Sequence, residues 1–248
     1  MHNLGHTRSS HQPNHLLQTP DTFVRTSLPT LAGANAIVHI SPADGAAFTQ
    51  YTAEFGTGGT LASCPAQRFL YVLEGTAELI SGDAVHLLTP GSFAFSPQHH
   101  STRLTATSPT RIACIEKPFA ALPTHPAPSF IVGHVQDVFP EPLGGDDALL
   151  VQNLLPSGPA FDFAVNTMTY APGAHLSQVE IHVMEHGLLM LDGGGIYRLG
   201  DHWYPVTAGD FIYMAPFCPQ WFGALGKQPA RYLIYKDANR HPSPTPAT

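Results

Sequence analysis

The chain has 248 residues, of which 43% are hydrophobic and only 12% charged, and its formal net charge is −7. That charged fraction is about half the usual one, so much of the chain is expected to be buried or held at contacts. An acidic balance without a basic cluster argues against a nucleic-acid partner. No run reaches the roughly 18 apolar residues of a membrane span, and no apolar segment near the start reads as a secretory signal.

With 24 prolines and 22 glycines spread along the chain, many short strands joined by tight turns are expected. Cys64, Cys114 and Cys218 match no zinc or redox spacing and read as reduced core residues of a cytoplasmic protein. Residues 1–20 carry His2, His6, His11 and His15 but no hydrophobic period, which predicts a flexible, solvated arm rather than a metal-binding tract. Strand-like pieces follow at 36–40, 48–55, 69–73, 77–80, 85–88, 93–95, 101–104 and 110–116. A proline-rich linker occupies 118–128. A second series runs 161–170, 179–182, 187–191, 195–199, 202–206, 211–214, 221–224 and 231–235, and 241–248 read as a frayed tail.

The two series are copies. Leu73-Glu74-Gly75 matches Leu191-Asp192-Gly193, Gly82-Asp83 matches Gly200-Asp201, and Thr89-Pro90-Gly91-Ser92-Phe93 matches Thr207-Ala208-Gly209-Asp210-Phe211. The offsets 193 − 75, 200 − 82 and 209 − 91 are all 118, so an all-β unit of about a hundred residues is duplicated. The division expected is an arm at 1–20, a first unit at 21–128, a second at 129–240 and a tail at 241–248.

The chemistry concentrates in the second copy. In VEIHVMEHGLLMLDGGG (179–195) an extended chain puts Glu180, His182 and His186 on one face. A lone histidine beside an apolar strand is usually a core or surface residue. Two with a glutamate are harder to assign to packing, because an unpaired carboxylate inside costs several kcal/mol. Glu185 has the opposite parity and would serve as a ligand only if the strand bulged. In the first copy the equivalent positions are Ala62, Cys64 and Arg68, and His99 and His100 lack partners, so that unit is expected to hold no metal.

The order of strands and glycine turns is that of a jelly roll and resembles the cupin pattern, which implies two tandem all-β barrels. Cupins carry H-x-H, a carboxylate and a later histidine. Here Glu180, His182, His186 and Gln220 stand at those places, each still offering an O or N donor. The set E-x-H-x3-H…Q on two fused cupins resembles the (S)-ureidoglycine aminohydrolase family, metal enzymes of purine (allantoin) breakdown. The likeness runs along 179–227 and 231–240 and extends more weakly upstream. It implies that Glu180, His182, His186 and Gln220 bind one Mn²⁺ per chain, with Fe²⁺, Ni²⁺ or Zn²⁺ as competitors. It also implies substrate contacts from Glu180, Tyr197, Tyr232 and Lys236, with Glu180 and Lys236 catalytic. Without the resemblance, Tyr197 and Tyr232 read as strand aromatics with a polar tip and Lys236 as a solvated strand end. The competing readings are a metal cupin dioxygenase or isomerase on another small acid, and a metabolite-binding or storage cupin. Low charge and a metal-free first barrel point to a homo-oligomer.

Overall fold

The computed structural model describes residues 5–242. The expectations for His2 and for the tail beyond 242 lie outside those residues. Each repeated glycine turn has its twin in the same left-handed conformation: Gly75 and Gly193 have φ 77° and 65°, and Gly91 and Gly209 both 90°. A Cβ would lie 2.1 Å from the Pro109 carbonyl oxygen at Gly75 and 2.5 Å from that of Pro229 at Gly193. Both turns therefore require glycine for space as well as for φ.

The first barrel is one continuous sheet that wraps round its long strand Thr49–Leu61. The early part of that strand pairs with Thr110–Lys117 and its end with Thr102–Ala106. Gly56, Gly58 and Gly59 sit in the middle, where the strand turns the corner. The second barrel divides into a large sheet, which includes Phe163–Tyr170, His186–Asp192, Phe211–Met214 and Ala230–Asp237, and a three-stranded sheet of Gly194–Leu199, His202–Thr207 and Gln220–Ala224.

Three apolar clusters hold these parts together. Tyr51, Leu70 and Leu104 lie in the first barrel, and Tyr170, Met190 and Phe222 in the second. A third cluster joins Phe48, Phe69 and Phe95 of the first repeat to Phe163, Phe211 and Tyr235 of the second. The opposite face of each strand at the junction thus has its own core, and the two barrels share one interior.

Several expectations are corrected. The segment expected as a solvated arm is docked: His15–Gln18 pairs antiparallel with Phe211–Met214 of the second barrel, and Leu17 is fully buried. His15 is buried and bonded to the Tyr204 hydroxyl at 2.9 Å. Arg8 makes two bonds to the buried carboxylate of Asp210. The reciprocal exchange occurs past the linker. Ile131–His134, expected in the second unit, pairs with Ser92–Ser96 of the first barrel. Each repeat thus lends its opening strand to the other. A hairpin over Glu141–Leu143 and Asp146–Asn153, absent from the strand-like pieces, turns at Gly144 and Gly145, both at positive φ. Residues 179–182 do not continue the following strand, which begins only at His186.

Candidate metal centre

The departure at 179–185 brings the donors together. Glu180 and Gln220 form an isolated antiparallel bridge, Glu180 N–H to the Gln220 carbonyl at 2.9 Å and the reverse at 3.0 Å. The chain then swings back, and the Phe217 N–H is bonded to the His182 carbonyl at 2.7 Å. The Glu185 N–H is caught by the Asp237 carboxylate at 2.7 Å just before the strand resumes. Alternation along one strand would have aligned the three side chains; instead a bridge, a bend and a strand end each supply one.

His186 Nε2 lies 3.3 Å from His182 Nε2, which is 2.8 Å from Gln220 Nε2 and 3.9 Å from Glu180 Oε2. Burial, then His182, pushes the His186 pKa down to about 3, so its imidazole is neutral. Its Nδ1–H donates to the Tyr235 carbonyl at 3.2 Å, which leaves an Nε2 lone pair directed at His182. His182 Nδ1 is buried without a partner. Glu180, by contrast, is partly exposed at the mouth.

Among the described residues, no three His, Cys, Asp or Glu side chains stand at metal-holding geometry as they are. The cluster nonetheless fits a divalent ion. Its fourth donor is an amide, and two bonds of about 2.1 Å at a right angle separate their donors by about 3 Å, close to the 3.3 Å between the two imidazole nitrogens. A single proton between the facing imidazoles would satisfy fewer of these donors than a cation.

The cluster lines a cavity of about 180 Å³ together with Tyr197, Tyr232 and Lys236. Lys236 sits opposite His186 in the ladder. Burial lowers its pKa, and Glu180 opposes that shift. Tyr232 is fully buried, its hydroxyl 2.7 Å from that of Tyr170. The Tyr197 hydroxyl donates to the Gln220 side-chain oxygen Oε1 at 3.5 Å. Burial holds both phenols protonated, well above their ordinary pKa. Met168, Met184 and Ile234 supply apolar walls. Glu185 faces away: its carboxylate accepts from the Ala47 N–H and the Tyr213 hydroxyl, and burial raises its pKa to about 7. Sequence reasoning missed Tyr170 and Asn166. They share the inward face of Phe163–Tyr170 with Met168, an i, i+2 pattern present in the sequence but silent about which face looks inward.

The equivalent space in the first barrel is filled. Arg68, in the place of His186, contacts Glu116 at 2.7 Å and the Ala62 carbonyl at 2.6 Å, and the Tyr51 hydroxyl donates to the same Glu116 oxygen at 2.8 Å. A larger cleft of about 480 Å³ opens between the barrels. Its charged groups are paired with each other, Arg111 with Glu74 at 2.7 Å and Arg231 with Asp192 at 2.9 Å.

Two jelly-roll barrels, one carrying a His/His/Glu/Gln cluster at its mouth, define a two-barrel cupin. The cupin domain family matches residues 166–235. In fold the chain is similar to E. coli protein Ylba (25% identity, TM-score 0.84, covering 96% of this chain and 97% of that one) and to Bacillus subtilis oxalate decarboxylase (10%, 0.72, 94% and 80%). It is 38% identical over 244 residues to the (S)-ureidoglycine aminohydrolase of Arabidopsis thaliana, covering 96% of this chain and 80% of that protein. The chain belongs to the (S)-ureidoglycine aminohydrolase family.

Proposed function

We propose that this protein hydrolyses (S)-ureidoglycine to (S)-ureidoglycolate and ammonia, a step of allantoin breakdown, using one Mn²⁺ held by Glu180, His182, His186 and Gln220. The observation that carries this reading is the meeting of those four side chains with Lys236 in one small cavity of a chain from this family. Two imidazoles, a carboxylate and an amide oxygen form a mixed N/O set suited to Mn²⁺, for which Fe²⁺, Ni²⁺ and Zn²⁺ compete. Such an ion, when bound, offsets charge and orients a chelating amino-acid substrate.

The remaining work falls to side chains. The substrate α-carbon carries an amine, a ureido nitrogen and a carboxylate. Lys236 offers a half-buried ammonium for the carboxylate. In the reaction the C–N bond to the amine breaks, a C–O bond to water forms, and one proton passes from water to the leaving nitrogen. Glu180 is the one carboxylate among the described residues lining the cavity, and it carries that proton. The Tyr232 hydroxyl, fixed by Tyr170, donates to a substrate oxygen. The methionines and Ile234 limit water near the reacting carbon.

Ammonia release is measured on substrate generated enzymatically just before use, because a carbon bearing two nitrogens loses ammonia spontaneously. The manganese-loaded protein is expected to accelerate release and a chelator to abolish the acceleration. No acceleration over background overturns the reading. Elemental analysis is expected to find one metal per chain, lost in His182→Ala and weakened less in Gln220→Ala, since a neutral amide is the poorest donor. Full metal content in His182→Ala removes the ligand assignment.

We read the protein as a cytoplasmic homo-oligomer. Its three cysteines are unpaired, which suits a reducing compartment. Val85 and Leu87 are exposed on the edge strand Ala84–Leu88, which suits burial against a second copy. Light scattering measures the assembly directly.

A further inference from the structure

One polar group of the cavity has no counterpart yet. Asn166 is 3% exposed and lines the cavity, and its Oδ1 is buried with no hydrogen-bond partner. Its Nδ2 donates to Asn153 Oδ1 on the neighbouring strand, where the two asparagines are directly paired. That bond fixes the plane of the amide and leaves its carbonyl oxygen buried and unbonded at the cavity wall. On the other side Asn166 pairs with Ile234, so Lys236, two residues on along the same face, is its diagonal neighbour. An ammonium and an unpaired acceptor therefore stand side by side on one wall.

A buried acceptor without a donor costs free energy that a ligand N–H recovers. The ligand carboxylate has no proton to give and matches Lys236. The remaining end of a ureido acid is its carbamoyl group, which carries N–H donors. We propose that Asn166 is a specificity-determining residue whose Oδ1 accepts an N–H hydrogen bond from the ureido group and so selects ureido acids over simple 2-hydroxy acids. The assignment rests on the aminohydrolase reading of this cavity and names the part of the substrate that the other residues leave unread. A site built to bond an N–H discriminates strongly against analogues lacking it, because its own group is then left unpaired.

The test is titration calorimetry of the manganese-loaded protein with (S)-ureidoglycolate, the stable product, and with glycolate, which lacks the ureido group. Wild type binds ureidoglycolate more tightly, and the ratio of the two Kd values measures selectivity. In Asn166→Leu, of similar volume, that ratio falls about tenfold or more while glycolate affinity and metal content hold, as loss of one buried hydrogen bond requires. Asn166→Asp keeps the acceptor; its added charge weakens both acids, but the ratio stays within about threefold of wild type, well under the tenfold step of one hydrogen bond. Equal loss of both ligands in Asn166→Leu makes the residue merely structural and overturns the proposal. Loss of the ratio in Asn166→Asp as well means the amide presents its N–H instead, which also overturns it. A wild type that neither accelerates ammonia release nor binds ureidoglycolate overturns the aminohydrolase reading itself, and the Asn166 assignment with it.

Discussion

Arg68 and His186 occupy the same place in the two repeats, and each faces its counterpart across the ladder: Arg68 is opposite Glu116, and His186 is opposite Lys236. The charges are inverted. In the first barrel a guanidinium supplies a permanent cation, and Glu116 and Tyr51 neutralise and bond it. In the second barrel the imidazole is neutral, and the opposing side chain is Lys236, to which the proposed function gives the substrate anion. Lys236→Met is therefore expected to lower kcat/KM by about 1.5–3 kcal/mol, the range for a hydrogen bond to a charged group. Metal content should stay unchanged, because Lys236 is not a ligand. Steady-state rates with metal analysis check this; an unaffected rate removes the lysine from its role. Residue type and spacing singled out Glu180, His182 and His186, although the parity argument was wrong in detail; Gln220 and Lys236 were reached only through the family resemblance. A bridge to Gln220, not strand alternation, sets Glu180. Asn166 was not legible, because an asparagine in an apolar strand carries no sign of whether its amide is paired.

At the scale of elements, the repeat offset of 118 identified the glycine turns because a left-handed turn constrains residue type directly. The exchanged strands were hidden for the opposite reason. His15–Gln18 is four residues long, too short for a period to stand out, and its partner Phe211–Met214 lies near the far end of the chain. Its burial alternates along HLLQ, with His15 and Leu17 inward. Leu17→Ala is expected to cost about 2–4 kcal/mol of stability, the range for a buried leucine whose site collapses only partly. Deleting residues 1–18 should cost more, since it removes Arg8 from the fully buried Asp210 carboxylate and exposes the edge of the Phe211–Met214 strand. Urea unfolding checks both variants. A truncated chain as stable as the full one would mean that the hairpin rests on the barrel without holding it.

At the scale of the whole molecule, the parts meet at one imidazole. His39 Nδ1 is 2.7 Å from Gln18 of the exchanged strand, and its Nε2 is 2.9 Å from Thr52 of the first barrel. Its ring stacks on Phe211 of the second barrel at 4.7 Å. Burial, and then Arg111, pushes its pKa down to about 3. The folded value lies below the unfolded value of about 6.5, so between these pH values the unfolded chain binds a proton that the folded one refuses. The contribution to stability is complete above about pH 6.5 and is lost as pH falls toward 3. His15, lowered to about 4 by burial, acts in the same direction. Glu185 acts against them, because its value raised to about 7 favours the folded state as pH falls toward its ordinary carboxylate range. The metal-free protein is therefore expected to lose unfolding free energy on acidification below pH 6.5, with each such histidine contributing a slope of at most about 1.4 kcal/mol per pH unit. His39→Gln keeps an amide able to bond both Gln18 and Thr52 but cannot titrate. It should lower stability at pH 8 and flatten the acid slope by up to one proton's worth, as read from urea unfolding at a series of pH values. A variant with the wild-type slope would mean that the three segments separate before His39 is protonated, so that the imidazole joins them without sensing acid.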